Sequence, residues 1–77
     1  MTRAEYKRRV RDIRRVTDDS MALYDKSYDT LRKCVDSDGQ LLNTMFRLYR
    51  HYRSRAMELW NEQREMHRQL RTEIGMR

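Results

Sequence analysis

The chain offers one good place to turn. It has no proline, and its only glycines are Gly39 and Gly75, so little else along its 77 residues interrupts a helix. Ser37-Asp38-Gly39-Gln40 sits at mid-chain, and Ser37 and Gln40 have capping-box spacing. In that motif the serine hydroxyl accepts from the backbone N–H three residues on, and the glutamine reaches back to the serine N–H. The expected fold is all-α, with two long antiparallel helices in a coiled-coil-like hairpin that completes a bundle with another chain. It reads as one unit over 1–77, with a helix over about 3–35, a turn at 36–39 and a helix over about 38–74.

The first arm carries apolar or near-apolar residues at Tyr6, Val10, Ile13, Thr17, Met21, Tyr24, Tyr28, Leu31 and Val35. Steps of three and four keep these on one stripe of a helix. The stripe runs through Thr17-Asp18-Asp19-Ser20, so one unbroken helix is preferred over a break there. Val16, Leu23 and Cys34 form a short side stripe.

The second arm repeats the pattern more strictly at Leu41, Met45, Leu48, Tyr52, Ala56, Leu59, Gln63, Met66 and Leu70. That seam lasts about four heptads, and Gly75 supplies a helix stop beyond it. Beside it lies a second line: Leu42, Phe46, Tyr49, Arg53, Met57 and Trp60, continuing as Arg64, His67 and Arg71. A two-helix hairpin covers one stripe per helix, so this second line is expected to face a partner. Contiguous rows of large apolar side chains, unlike single ones, mark interfaces, and aromatic and arginine residues are their usual anchors.

Composition narrows the function classes. With 38% hydrophobic and 39% charged residues, the chain suits long exposed helices rather than a compact globule. One cysteine excludes an internal disulfide. His51 and His67 have no ligand-spaced neighbours, no phosphate-cradling glycine loop exists, and no nucleophile–base–acid set can be assembled. Glu58, Glu62 and Glu65 read as a solvated helix face, and Cys34 as a small packed side chain near the turn. No enzyme, cofactor, metal or small-molecule substrate is expected. No apolar run reaches the ~20 residues of a membrane span, and the start lacks the apolar core of a secretory signal. The expected location is intracellular, on the cytoplasmic or an organellar matrix side.

The net charge is +6, carried by fifteen arginines and three lysines against twelve acids. Arg3, Lys7, Arg8, Arg9, Arg11, Arg14 and Arg15 crowd the first fifteen residues, and Arg64, Arg68 and Arg71 would join them at the open end. Residue i should lie opposite roughly 76 − i, bringing Asp18, Asp19, Asp25 and Asp29 beside Arg47, Arg50, Arg53 and Arg55. The primary expectation is a non-enzymatic interaction subunit that docks through Leu42, Phe46, Tyr49, Arg53, Met57 and Trp60. Its basic surface would be Arg3, Lys7, Arg8, Arg11, Arg14, Arg15, Arg64, Arg68 and Arg71. Protein partners or self-association come first. A dimeric four-helix-bundle RNA- or DNA-binding protein is the alternative, and a small regulator presenting one helix face is a third. An anionic membrane surface would also suit the basic end.

Leu48-Tyr49-Arg50 is similar to the tripeptide of the mitochondrial LYR-motif proteins, which are small, basic and helical. In that family it opens the first helix of a three-helix fold. In this chain it lies in the second arm, so the likeness stops at three residues.

Overall fold

A computed structural model describes residues 1–75; the last two residues of the expected 1–77 hairpin lie outside the described residues. Two helices make up the fold, α1 (Arg3–Val35) and α2 (Gly39–Glu73). They pack antiparallel into a rod with extents of 56 × 19 × 13 Å.

Thr2 caps α1: its hydroxyl accepts from the Glu5 N–H at 3.1 Å, the hydroxyl half of a capping box like that expected at Ser37. Glu5 adds a negative charge in the first turn, and Arg32 and Lys33 lie in the last, both complementing the helix dipole. The expected cap at Ser37 does not form. Ser37 Oγ instead donates back to the Lys33 carbonyl at 2.6 Å, closing the end of α1. The N-cap of α2 is Asp38, without a side-chain cap bond. Gly39 turns the chain with φ +58° and no neighbour around its missing Cβ, so backbone conformation alone selects glycine there. Gly75, at φ +75°, follows the C-cap residue Ile74 of α2.

Burial follows a strict heptad on both helices, and its covered positions can be written a and d. On α1 these are Ile13, Ser20, Ser27 and Cys34 (a) with Arg9, Val16, Leu23 and Thr30 (d). On α2 they are Leu42, Tyr49, Ala56, Gln63 and Leu70 (a) with Met45, Tyr52, Leu59 and Met66 (d). Every other position of α2 is exposed.

The seam of α1 is therefore not the expected one. Ile13 belongs to it, but Tyr6, Met21, Tyr28 and Val35 are exposed, Val35 by 83%. Val10, Thr17, Tyr24 and Leu31 are half-buried at its edge. The side stripe Val16, Leu23 and Cys34 is in the seam, completed by Ser20, Ser27 and Thr30. On α2 the correction is smaller: Leu42 and Tyr49 take the inward places expected of Leu41 and Leu48, which are exposed.

The physical reason lies at the centre of the rod. Ser20 and Ala56 are both fully buried, and Ser20 Oγ donates to the Ala56 carbonyl at 2.9 Å. A hydroxyl can bond a backbone carbonyl of the facing helix only where the backbones approach closely, which requires small side chains on both. That bond also sets the register: 20 and 56 satisfy the 76 − i rule. Further along, the register sets Ser27 opposite Tyr49 and Cys34 opposite Leu42, small against large. The other buried hydroxyls close onto their own helix, Ser27 to the Tyr24 carbonyl at 2.7 Å and Thr30 to the Lys26 carbonyl at 2.8 Å. Among the described residues no buried side-chain polar atom lacks a partner. The result is a thin core: among the described residues the large apolar side chains that are buried are Ile13, Val16 and Leu70, and the others of the seam are half-buried.

Candidate interaction surface

Turning one helix end for end brings the e positions of both helices to the same side of the seam and the g positions to the other. The e side holds Val10, Thr17, Tyr24 and Leu31 from α1, half-buried, and Phe46, Arg53, Trp60 and His67 from α2, exposed. The flanking b positions are Lys7, Arg14, Met21, Tyr28 and Val35 on α1 and Asn43, Arg50, Met57, Arg64 and Arg71 on α2. Together they form one broad face along the rod. On each helix it repeats the three-and-four spacing of a seam, and among the described residues it is covered no further than the half-burial of Val10, Thr17, Tyr24 and Leu31.

None of the twelve acidic residues stands on that face. The acids of the two helices occupy c, f and g positions, apart from Glu73 at d. Seven cations do stand on it: Arg3, Lys7 and Arg14 from α1, and Arg50, Arg53, Arg64 and Arg71 from α2. They are unevenly spread. From Thr17 to Val35 the α1 half carries no charge at all, whereas on the α2 half cations recur from Arg50 to Arg71. The face is therefore uncharged nearest the turn, apolar on the α1 side as far as mid-rod, and basic from Arg50 toward the open end.

The apolar part is exposed in earnest. Met21 is 56% accessible, Tyr28 59%, Phe46 43%, Met57 47% and Trp60 41%. Two open hollows mark α2: Trp60, Arg64, His67 and Arg71 line the larger, together with Glu65, and Phe46, Arg47 and Arg50 line the smaller. Glu65 does not leave a free negative charge there. Arg68 grips it through two N–H groups, one at 3.0 Å, and that hydrogen bonding holds the Glu65 carboxyl below the usual carboxylate range and raises the Arg68 guanidinium. Burial of the carboxyl opposes the shift without cancelling it.

The fold redistributes the residues marked in the sequence. Of the docking set, Phe46, Arg53, Met57 and Trp60 lie together on the uncovered face. Leu42 and Tyr49 are half-buried at the seam, and Tyr49 Oη accepts from the exposed Arg53 at 3.3 Å. Of the basic set, Arg3, Lys7, Arg14, Arg64 and Arg71 join the same face. Arg8, Arg11, Arg15 and Arg68 occupy c and f positions around the back, Arg15 lying 4.0 Å from Asp12.

The expected facing of aspartates and arginines at mid-rod does not produce ion pairs. Asp18 and Asp25 (f) and Asp29 (c) point away from the seam, and Asp19 (g) flanks it without an ion pair among the described residues. The pairs found there are Arg32–Asp29 at 3.8 Å and Arg55–Glu58 at 2.9 Å, each within one helix. Among the described residues only Arg9–Glu73 bridges the helices, near the open end. Lys26 crosses differently, its ammonium 5.8 Å from the Tyr52 ring centroid.

What sequence reading missed is the α1 half of the face. Met21, Tyr28 and Val35 had been placed inward, and nothing marked Tyr24 and Leu31 as edge residues. The signal that finds them is the heptad of small residues Ser20, Ser27 and Cys34, seven apart, beside which these large residues fall. Among the described residues no cluster of His, Cys, Asp and Glu could hold a metal ion, and no helix is long and apolar enough to cross a membrane. No protein-family model, curated protein or solved structure matches the chain.

Proposed function

We propose that this chain is a non-enzymatic interaction subunit, a helical hairpin that forms part of a bundle and docks through its uncovered b/e face. One observation carries the reading: the hairpin exposes more large apolar side chains than it buries. Small side chains, Ser20, Ser27, Thr30, Cys34 and Ala56, take most of the buried places of the seam, and its larger α2 members are mostly half-buried. Further large ones repeat at seam spacing outside it.

Magnitudes support the same conclusion. Full burial of a large apolar side chain is worth about 1.5–3 kcal/mol. Met21, Tyr28, Phe46, Met57 and Trp60 are each roughly half-exposed, so covering them contributes on the order of 5 kcal/mol, comparable to the whole stability of a small domain. A core of three large apolar residues leaves an isolated hairpin marginal, and a partner supplies what it lacks.

Light scattering combined with thermal melting of the isolated chain tests this. A weakly cooperative hairpin, or one whose melting temperature rises with protein concentration, is expected. A monomer that melts cooperatively above about 65 °C, beyond the usual range of small domains, would sink the proposal.

A further inference from the structure

Resting on that reading, we propose a specific occupant for the face: an amphipathic helix of a partner protein, with acidic residues flanking its apolar stripe, lying in the groove between the e positions of α1 and α2. Geometry and charge both point to a helix. Val10, Thr17, Tyr24 and Leu31 recur every seven residues along one wall, and Phe46, Arg53, Trp60 and His67 along the other. Two parallel rows at heptad spacing accept the side chains of a third helix as knobs into holes. The seven cations and absent acids then specify what flanks that helix's apolar stripe, which is aspartate or glutamate. Because α1 is uncharged from Thr17 to Val35, the partner's acids alongside that stretch should lie on its α2 side, beside Arg50 and Arg53, and on both sides only toward the open end.

Other occupants fit less well. A second copy docked through the same face would bring seven more cations and no acid to the interface, leaving like charges on both sides with nothing to neutralise them. A nucleic-acid backbone needs cations along its track, and about 27 Å of the α1 half, eighteen residues' rise, has none. An anionic lipid surface takes cations on the polar side of an apolar face, whereas Arg53 stands inside the groove wall, between Phe46 and Trp60.

Trp60 is the only tryptophan and stands in the groove, so its emission reports occupancy directly. The full chain is titrated with two synthetic helical peptides of roughly four heptads, identical in their apolar stripe and flanked by glutamate in one and lysine in the other. Single-stranded oligouridylate and phosphatidylglycerol vesicles are titrated in parallel. The glutamate peptide is expected to bind at least about tenfold tighter than any other probe, with a blue shift of Trp60 emission and a gain of helical circular dichroism. The triple charge reversal R50E/R53E/R64E should invert the preference between the peptides. Should that variant not fold, the milder Arg64→Gln and Arg71→Gln variants should each weaken the glutamate peptide without affecting the lysine one.

Equal binding of the two peptides, or tighter binding of the oligonucleotide or the vesicles, overturns the proposed occupant. Absence of binding by a chain that buries Trp60 in a homo-oligomer overturns the occupant while leaving the interaction reading intact. A stable monomer that binds none of the probes overturns both.

Discussion

The two stripes of the hairpin differ in what they are made of, and the difference runs against the usual rule that large apolar side chains go inside. The buried places of the inner stripe are mostly small, Ser20, Ser27, Thr30, Cys34 and Ala56, with the larger Leu42, Met45, Leu59 and Met66 only half-buried beside them. The outer stripe carries Met21, Tyr28, Phe46, Met57 and Trp60. Close approach of two backbones needs small side chains at the contact. Once Ser20 and Ala56 are in contact, the bulkier neighbours a step around each helix are turned outward. The inner stripe thus determines how the two helices meet. The outer one is left with the apolar area that a further body would cover.

That contrast can be broken most severely at the point of closest approach. Ala56→Leu inserts a bulky side chain opposite Ser20 where no space exists, and should cost about 1–3 kcal/mol in chemical denaturation. The same enlargement at an outer position, Ser54→Leu, should leave stability within about 0.5 kcal/mol. Equal losses at the two sites would show that the inner seam is not tightly packed.

The turn comes next. Gly39→Val forces a β-branched residue to φ +58° and should cost about 1–2 kcal/mol, read as a lower melting temperature, even though no atom blocks the new side chain. Ser20→Ala should cost less, about 0.5–1 kcal/mol, because it removes one neutral hydrogen bond across the seam and leaves the close packing in place.

On the outer stripe, Phe46→Ser or Met57→Ser should change the stability of the isolated chain by no more than about 0.5 kcal/mol while abolishing the Trp60 response to the acidic peptide. Loss of stability there as large as at Ala56 would mean that the outer stripe is already covered within the hairpin. The smallest effect belongs to Glu65. Its folded carboxyl is held below the ordinary value by Arg68, so its contribution is present above the unfolded glutamate pKa and fades as pH falls through the lowered folded one. Glu65→Gln should therefore narrow the stability difference between neutral and strongly acidic pH only slightly, since both partners stand in solvent.

Much of this molecule was legible in its sequence. Unbroken three-and-four spacing on both arms, with no proline and a single mid-chain glycine, leaves little besides two long helices and a turn. The presence of an uncovered stripe on α2 was legible as well, because Phe46, Met57 and Trp60 are unmistakably apolar and the strict spacing of Met45, Tyr52, Ala56 and Leu59 already occupies the seam. The α1 half was not. Serine and threonine score as polar, yet Ser20, Ser27 and Thr30 are the buried ones, their hydroxyls satisfied by backbone carbonyls. The cap at Ser37 misled for a related reason: a hydroxyl at a helix junction can serve the end of one helix as readily as the start of the next, and Ser37 serves α1.

Sequence alone determined the helices, their lengths and the position of the turn, because periodicity and backbone conformational preference are local properties of the chain. Tertiary structure decided the rotation of α1 about its axis and, with it, the single acid-free face shared by both helices. That choice depends on how closely two backbones can approach. Such an approach is set by pairs such as Ser20 and Ala56, which lie far apart in sequence and meet only when the hairpin closes.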